Sequence, residues 1–127
     1  MERLVSSLIL LAAIIHLLPI TGFFGPARLQ ALYGVAVTEP NLVVLMRHRA
    51  LLFGILGALL VAAAFHRDWQ VPALAAGLVS VIGFQGLAVP AEGLNAALRK
   101  VVLVDWVALA ALLAAAGLRL WLAVRPV

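Results

Sequence analysis

The sequence predicts an all-α integral membrane protein: a four-helix bundle with a short interfacial helix in its first loop. Two observations carry this. Of 127 residues, 66% are apolar and 11% charged, against roughly 45–50% and about 25% in soluble domains. Mean hydropathy is +1.20, and a chain this short cannot hide that much apolar surface from water. The second observation is spacing, since apolar runs of the roughly 20 residues that cross a bilayer recur four times. A soluble enzyme, a disulfide scaffold and a disordered tail are excluded. With no cysteine, neither disulfides nor thiolate chemistry is available. One transmembrane domain, residues 1–127, is expected.

The first run, Leu4–Ile20, ends at Pro19 and the Thr21-Gly22 break. Its charged start is only Glu2-Arg3 and no small-x-small site follows, so a permanent span is expected rather than a cleaved leader. Loop 21–40 is the one connector with room for structure. Within it, Pro26 and Gly34 bracket Ala27–Tyr33 as a short interfacial helix, with proline near its start and glycine past its end. The second run, about Asn41–Phe65, opens with Thr38-Glu39-Pro40, a helix-start signature. A tight polar hairpin with Trp69 leads to the third run, Val71–Val89, which Pro72 opens and Pro90 closes. Ala91–Ala97 links to the fourth, about Leu98–Leu122. Helices satisfy their own backbone groups inside a bilayer, and no alternating strand pattern competes.

The net charge of +4 is scattered, with no basic run beyond Arg99-Lys100, so no nucleic-acid partner is expected. An even number of spans puts both termini on one side with Arg3, Arg67, Arg119 and Arg125. The other side carries Arg28, Arg99 and Lys100. With Arg47 and Arg49 set aside, the positive-inside rule favours cytoplasmic termini in a bacterial inner membrane.

Depth is the informative variable. At 1.5 Å rise per residue, His16 lies about 6 Å inside the loop-one end of its span and Arg47 about 10 Å. Gln85 lies about 8 Å before Pro90 and Asp105 about 10 Å into the fourth span. Each span thus brings one polar group to a similar level. On a helical wheel Arg47 centres a stripe of Ala50, Gly54, Gly57 and Ala58, small residues that suit close helix packing. Arg49 falls on the opposite arc with Phe53, Leu56 and Leu60, which reads as lipid-facing with the guanidinium snorkelling to the headgroups. His16 shares an arc with Ala12 and Ala13, and Asp105 with Ala108, Leu112 and Ala116.

Unpaired charge is costly at such depth, so Arg47 and Asp105 are expected to find each other or another polar group. Two readings stay open: an ion pair that fixes packing, or a half-buried pocket lined by His16, Arg47, Gln85 and Asp105 under a cap bearing Tyr33. His48, His66, Glu92, Asn95, Arg99 and Lys100 read as packing or solvated surface residues. No metal site and no nucleophile motif is present. A b-type haem held by His16 and His48, with Arg47 at a propionate, is an alternative.

The segment Leu32-Tyr33-Gly34, Asn41 and Met46-Arg47-His48-Arg49-Ala50-Leu51-Leu52-Phe53-Gly54 resembles the DoxX-like family of small bacterial four-helix membrane proteins. There an aromatic-Gly loop leads into a second span that opens with an arginine and becomes Gly-rich. The motif covers about 25 residues, and the topology the whole length. Many relatives have no assigned activity, and some resemble membrane subunits of quinone-linked sulfur oxidation. The resemblance implies a fold more than a reaction, and carries the arginine to Arg47 and the loop to Tyr33-Gly34. The chain fits the glutathione-using membrane enzymes less well. It lacks the Asn and Glu they place after that arginine, and the several intramembrane acids of the sterol-isomerase group reduce here to Asp105.

The expected function is therefore binding, with no catalytic residue assigned. The pocket would take a lipophilic molecule with an anionic or carbonyl head (a quinone, lipid or fatty acid). Arg47 would anchor the head, Asp105 would orient the guanidinium, and His16, Gln85 and Tyr33 would line the site. The alternative is an accessory subunit of a larger membrane complex, or a homo-oligomer.

Overall fold

A computed structural model describes residues 1–125, and the last two positions of the expected domain lie outside it. Every regular element among the described residues is helical: α1 Glu2–Leu17, α2 Pro26–Tyr33, α3 Pro40–Phe65, α4 Gln70–Ala88 and α5 Ala96–Val124. Short 3₁₀ segments, Leu18–Phe24 and Arg67–Trp69, follow α1 and precede α4. Four segments are long and apolar enough to cross a membrane: Glu2–Phe24, Pro40–Phe65, Arg67–Ala88 and Ala96–Val124. The observed ends fall within a few residues of those expected.

Local chemistry accounts for the ends. Pro19 has no N–H to return to the Ile15 carbonyl, and from Leu18 the chain winds tighter instead of turning away. Pro26 occupies the first turn of α2, and Gly34 closes it in the left-handed conformation at φ 65°, where a side chain would be strained. Glu39 caps α3, its carboxylate accepting from the Asn41 and Leu42 amides at 3.1 and 2.8 Å. Those two amides hold the Glu39 carboxyl below its ordinary pKa. Asn95 caps α5 by accepting from the Leu98 amide at 2.8 Å.

Each long helix packs on two others, with α1 and α4 each lying between α3 and α5. The closest approach is α1 with its 3₁₀ extension against α3. There Gly54 lies under Ile20 and Gly57 under Leu17, so a Cβ on Gly57 would stand 2.6 Å from the Leu17 Cδ2. The small stripe thus does pack inward, although Ala58, placed on it by the wheel, is exposed. The main core, including Ile9, Leu60, Val81 and Leu112, fills the half of the molecule nearer the termini. A second cluster of Leu29, Tyr33 and Val37 seats α2 against α3 and α5.

Candidate functional site

The polar residues near α2 assemble differently from the expected arrangement. Arg47 does not pair with Asp105. Its Nε donates to the Phe23 carbonyl at 2.7 Å, and its guanidinium lies 5.3 Å from the Phe23 ring centre. Arg47 thus ends the 3₁₀ segment as a cationic cap on a carbonyl that has no helical partner. The lone ion pair among the described residues joins Arg67 to Glu2 at 2.6 Å, at the far end of the molecule.

Arg49, not Arg47, is the arginine that meets Tyr33. Its Nη1 donates to the Tyr33 hydroxyl at 2.8 Å, and its guanidinium sits 5.4 Å from the Tyr33 ring centre and 4.7 Å from that of Phe53. The lipid-facing assignment of Arg49, Phe53, Leu56 and Leu60 is therefore corrected, and Leu60 is fully buried. The reason is that α3 packs on two long helices and on α2, so its covered arc is wider than one stripe. Tyr33 comes from the loop, which a wheel of α3 cannot contain.

His16 is 2% exposed. Its Nδ1 lies 2.8 Å from the Ala12 carbonyl, and a carbonyl only accepts, so Nδ1 donates this hydrogen bond. The His16 ring packs against Phe53 with centres 6.0 Å apart. His16, Tyr33, Arg49 and Phe53 therefore form one group contributed by α1, α2 and α3, and Asp105, on α5, lines the same cavity as Tyr33.

Gln85 stays outside it. Its Nε2 donates to the Val102 carbonyl on α5 at 3.0 Å, and its Oε1 is buried with no partner. Asn95 was also misread as a solvated residue, for its Nδ2 donates to the Tyr33 carbonyl at 2.9 Å. It ties the end of α2 to the start of α5. An Asn just before an apolar run is a helix-cap signal, so that role was recoverable from sequence.

Beside the group lies a cavity of about 320 Å³ between the end of α1, α2 and α5. Leu18, Leu32, Val101 and Val104 make its apolar wall, and Tyr33, Lys100 and Asp105 are its functional groups. Tyr33 also borders a smaller cavity of about 220 Å³ shared with Arg49 and Met46. Because the Tyr33 oxygen accepts from Arg49, its own proton remains available to an acceptor. The cavity of about 320 Å³ thus joins apolar walls to a tyrosine, a lysine and a carboxylate.

A haem does not fit these residues. His16 is buried against Phe53, whereas His48 is exposed and lies about 140° around α3 from Phe53. The two imidazoles do not face a common space. Among the described residues no cluster of three or more His, Cys, Asp or Glu side chains could hold a metal ion. Compared with models of known families, with characterised proteins and with solved structures, the chain matches none.

Proposed function

We propose that this chain is a multi-pass protein of the bacterial inner membrane. Its four long helices would form a membrane-embedded bundle, with termini on the cytoplasmic side, that binds a lipophilic molecule by a carbonyl or anionic head. The setting is supported by the outward faces of the long helices. Side chains such as Val79 and Leu87 are 74% and 78% exposed, and apolar surface of that extent suits acyl chains, not water. The DoxX-like resemblance agrees with this fold and adds no reaction.

The cavity of about 320 Å³ with Tyr33 and Asp105 at its polar end carries the ligand reading. Its size falls in the range of small-molecule pockets, roughly 300–1,000 Å³, and its make-up, apolar walls with a few convergent polar groups, is that of a site for an amphipathic guest. The Tyr33 proton suits a carbonyl oxygen. Asp105 on the same wall disfavours a full anion, so a neutral carbonyl head such as a quinone is preferred, and a carboxylate would rely on Lys100. Arg47 anchors the chain, not the guest, and Arg49 acts through Tyr33.

The test is extraction of small molecules from protein purified in mild detergent, compared between wild type, Tyr33→Phe and Asp105→Asn. A quinone or fatty-acid signal that falls about tenfold in Tyr33→Phe, the effect of one hydrogen bond worth about 1.4 kcal/mol, supports the reading. Equal recovery from all three proteins, or recovery of bulk lipid alone, would sink it.

A further inference from the structure

The opposite end of the molecule, where the start of α1, the α3–α4 hairpin and the end of α5 meet, carries a second polar enclosure. It is a cavity of about 140 Å³ bordered by Glu2, Ser6, Arg67, Gln70 and Arg119. Gln70 is only 6% exposed and lines this space, yet its side-chain amide makes no hydrogen bond to any described residue. Its amide is left to whatever occupies this space. The Arg119 Nε is buried and unpartnered. Arg119 also borders an apolar groove of about 370 Å³ between α4 and α5, whose sides include Val71, Leu78 and Leu120.

We infer that this is a site for a net-anionic phospholipid, with its phosphate in the enclosure and one acyl chain in the groove. The inference rests on the membrane setting proposed above but not on the cavity beside Tyr33. Two guanidiniums face one carboxylate across the enclosure, which leaves a net charge of +1 for an anion. Gln70 is the first residue of the 19-residue α4, so the positive end of that helix adds to it. Arg67 is already held by Glu2 at 2.6 Å, and a phosphate must compete for it. Arg119 and Gln70, both with unmade hydrogen bonds, are therefore the principal donors. Guanidinium–phosphate pairing is charge-assisted and directional. A zwitterionic head brings its own ammonium and gains less from a positive enclosure. The groove distinguishes a lipid from free phosphate, because Arg119 stands where polar and apolar spaces adjoin.

The experiment is native mass spectrometry of the full chain in mild detergent, with equal amounts of phosphatidylglycerol and phosphatidylcholine added. Wild type is expected to retain phosphatidylglycerol about tenfold over phosphatidylcholine, as one extra charge-assisted contact implies. Arg119→Gln should bring the two near parity. Gln70→Glu, which puts a carboxylate into the enclosure, should do the same in a protein whose helical circular dichroism is unchanged. Ala75→Phe, which fills the groove, should lower retention of phosphatidylglycerol without altering any charge. Tyr33→Phe should leave lipid retention unchanged, which separates this site from the one beside α2. Equal retention of both lipids by wild type overturns the proposal, as does undiminished preference in Arg119→Gln or full displacement by millimolar inorganic phosphate.

Discussion

The two ends of this molecule spend their polar side chains in opposite ways. Near α2 the two guanidiniums of α3 are occupied by the chain itself: Arg47 by the Phe23 carbonyl, Arg49 by the Tyr33 hydroxyl. Asn95 ties the Tyr33 carbonyl to α5. Near the termini, Arg119 Nε and the Gln70 amide have no partner among the described residues, and only Arg67 is matched. Satisfied arginines brace a recess, whereas unsatisfied donors wait for an external acceptor. A charged side chain near the ends of apolar helices therefore says little about function until its partner is known.

The largest effect should come from breaking the close contact that supports the α2 end. Gly57→Val drives a side chain into Leu17, and overpacking of this kind costs about 1–3 kcal/mol or more. Thermal denaturation in detergent should show a lower midpoint and weaker ligand retention beside Tyr33. Next, Arg49→Met should cost about 1.5–3 kcal/mol, the worth of a hydrogen bond from a charged donor, and should reduce quinone retention. Arg47→Met should lower the denaturation midpoint with little change in what is retained per folded molecule. If the two substitutions change retention equally, the division of labour between these arginines is wrong.

Gln85→Met should have a small effect of the opposite sign. It removes a buried Oε1 that has no partner, together with one hydrogen bond to Val102, and a carbonyl left unsatisfied costs about 1–3 kcal/mol. The denaturation midpoint should hold or rise, and a marked fall would mean that an acceptor role at Gln85 has been overlooked. The smallest effect is expected at Glu39. Its carboxyl is held below its ordinary pKa by the Asn41 and Leu42 amides, so its contribution is present above that ordinary value and is lost as pH falls through the lowered one. Glu39→Gln should flatten the acid limb of a stability–pH profile and leave neutral-pH behaviour nearly unchanged.

Much of the fold was legible because it depends on run length and on local breakers. Four apolar runs set four long helices, and Pro26, Gly34, Pro40 and Pro72 marked helix starts or ends that recur in the structure within a few residues. The positions of His16 and Asp105 along their helices follow from counting residues and are those of the structure. What could not be read was the azimuth of Arg47 and Arg49. A wheel treats α3 as a rod with one covered face, but the 3₁₀ segment brings Phe23 to Arg47 and α2 brings Tyr33 to Arg49. Both partners lie in the loop between the first two long helices, where no periodic pattern constrains position. For Gln85, position along the helix does not say which neighbour it meets, and its partner is the Val102 carbonyl.

The 3₁₀ stretch after α1 has one more consequence. Sixteen α-helical residues reach only about 24 Å at 1.5 Å each, short of a hydrocarbon layer about 30 Å thick. Seven residues wound at about 2.0 Å each add about 14 Å, which a further α-helical stretch of equal length would not. The first apolar segment thus reaches the length of a crossing only with its 3₁₀ extension, and deleting one residue between Leu18 and Phe24 would both shorten it and rotate Phe23 away from its arginine.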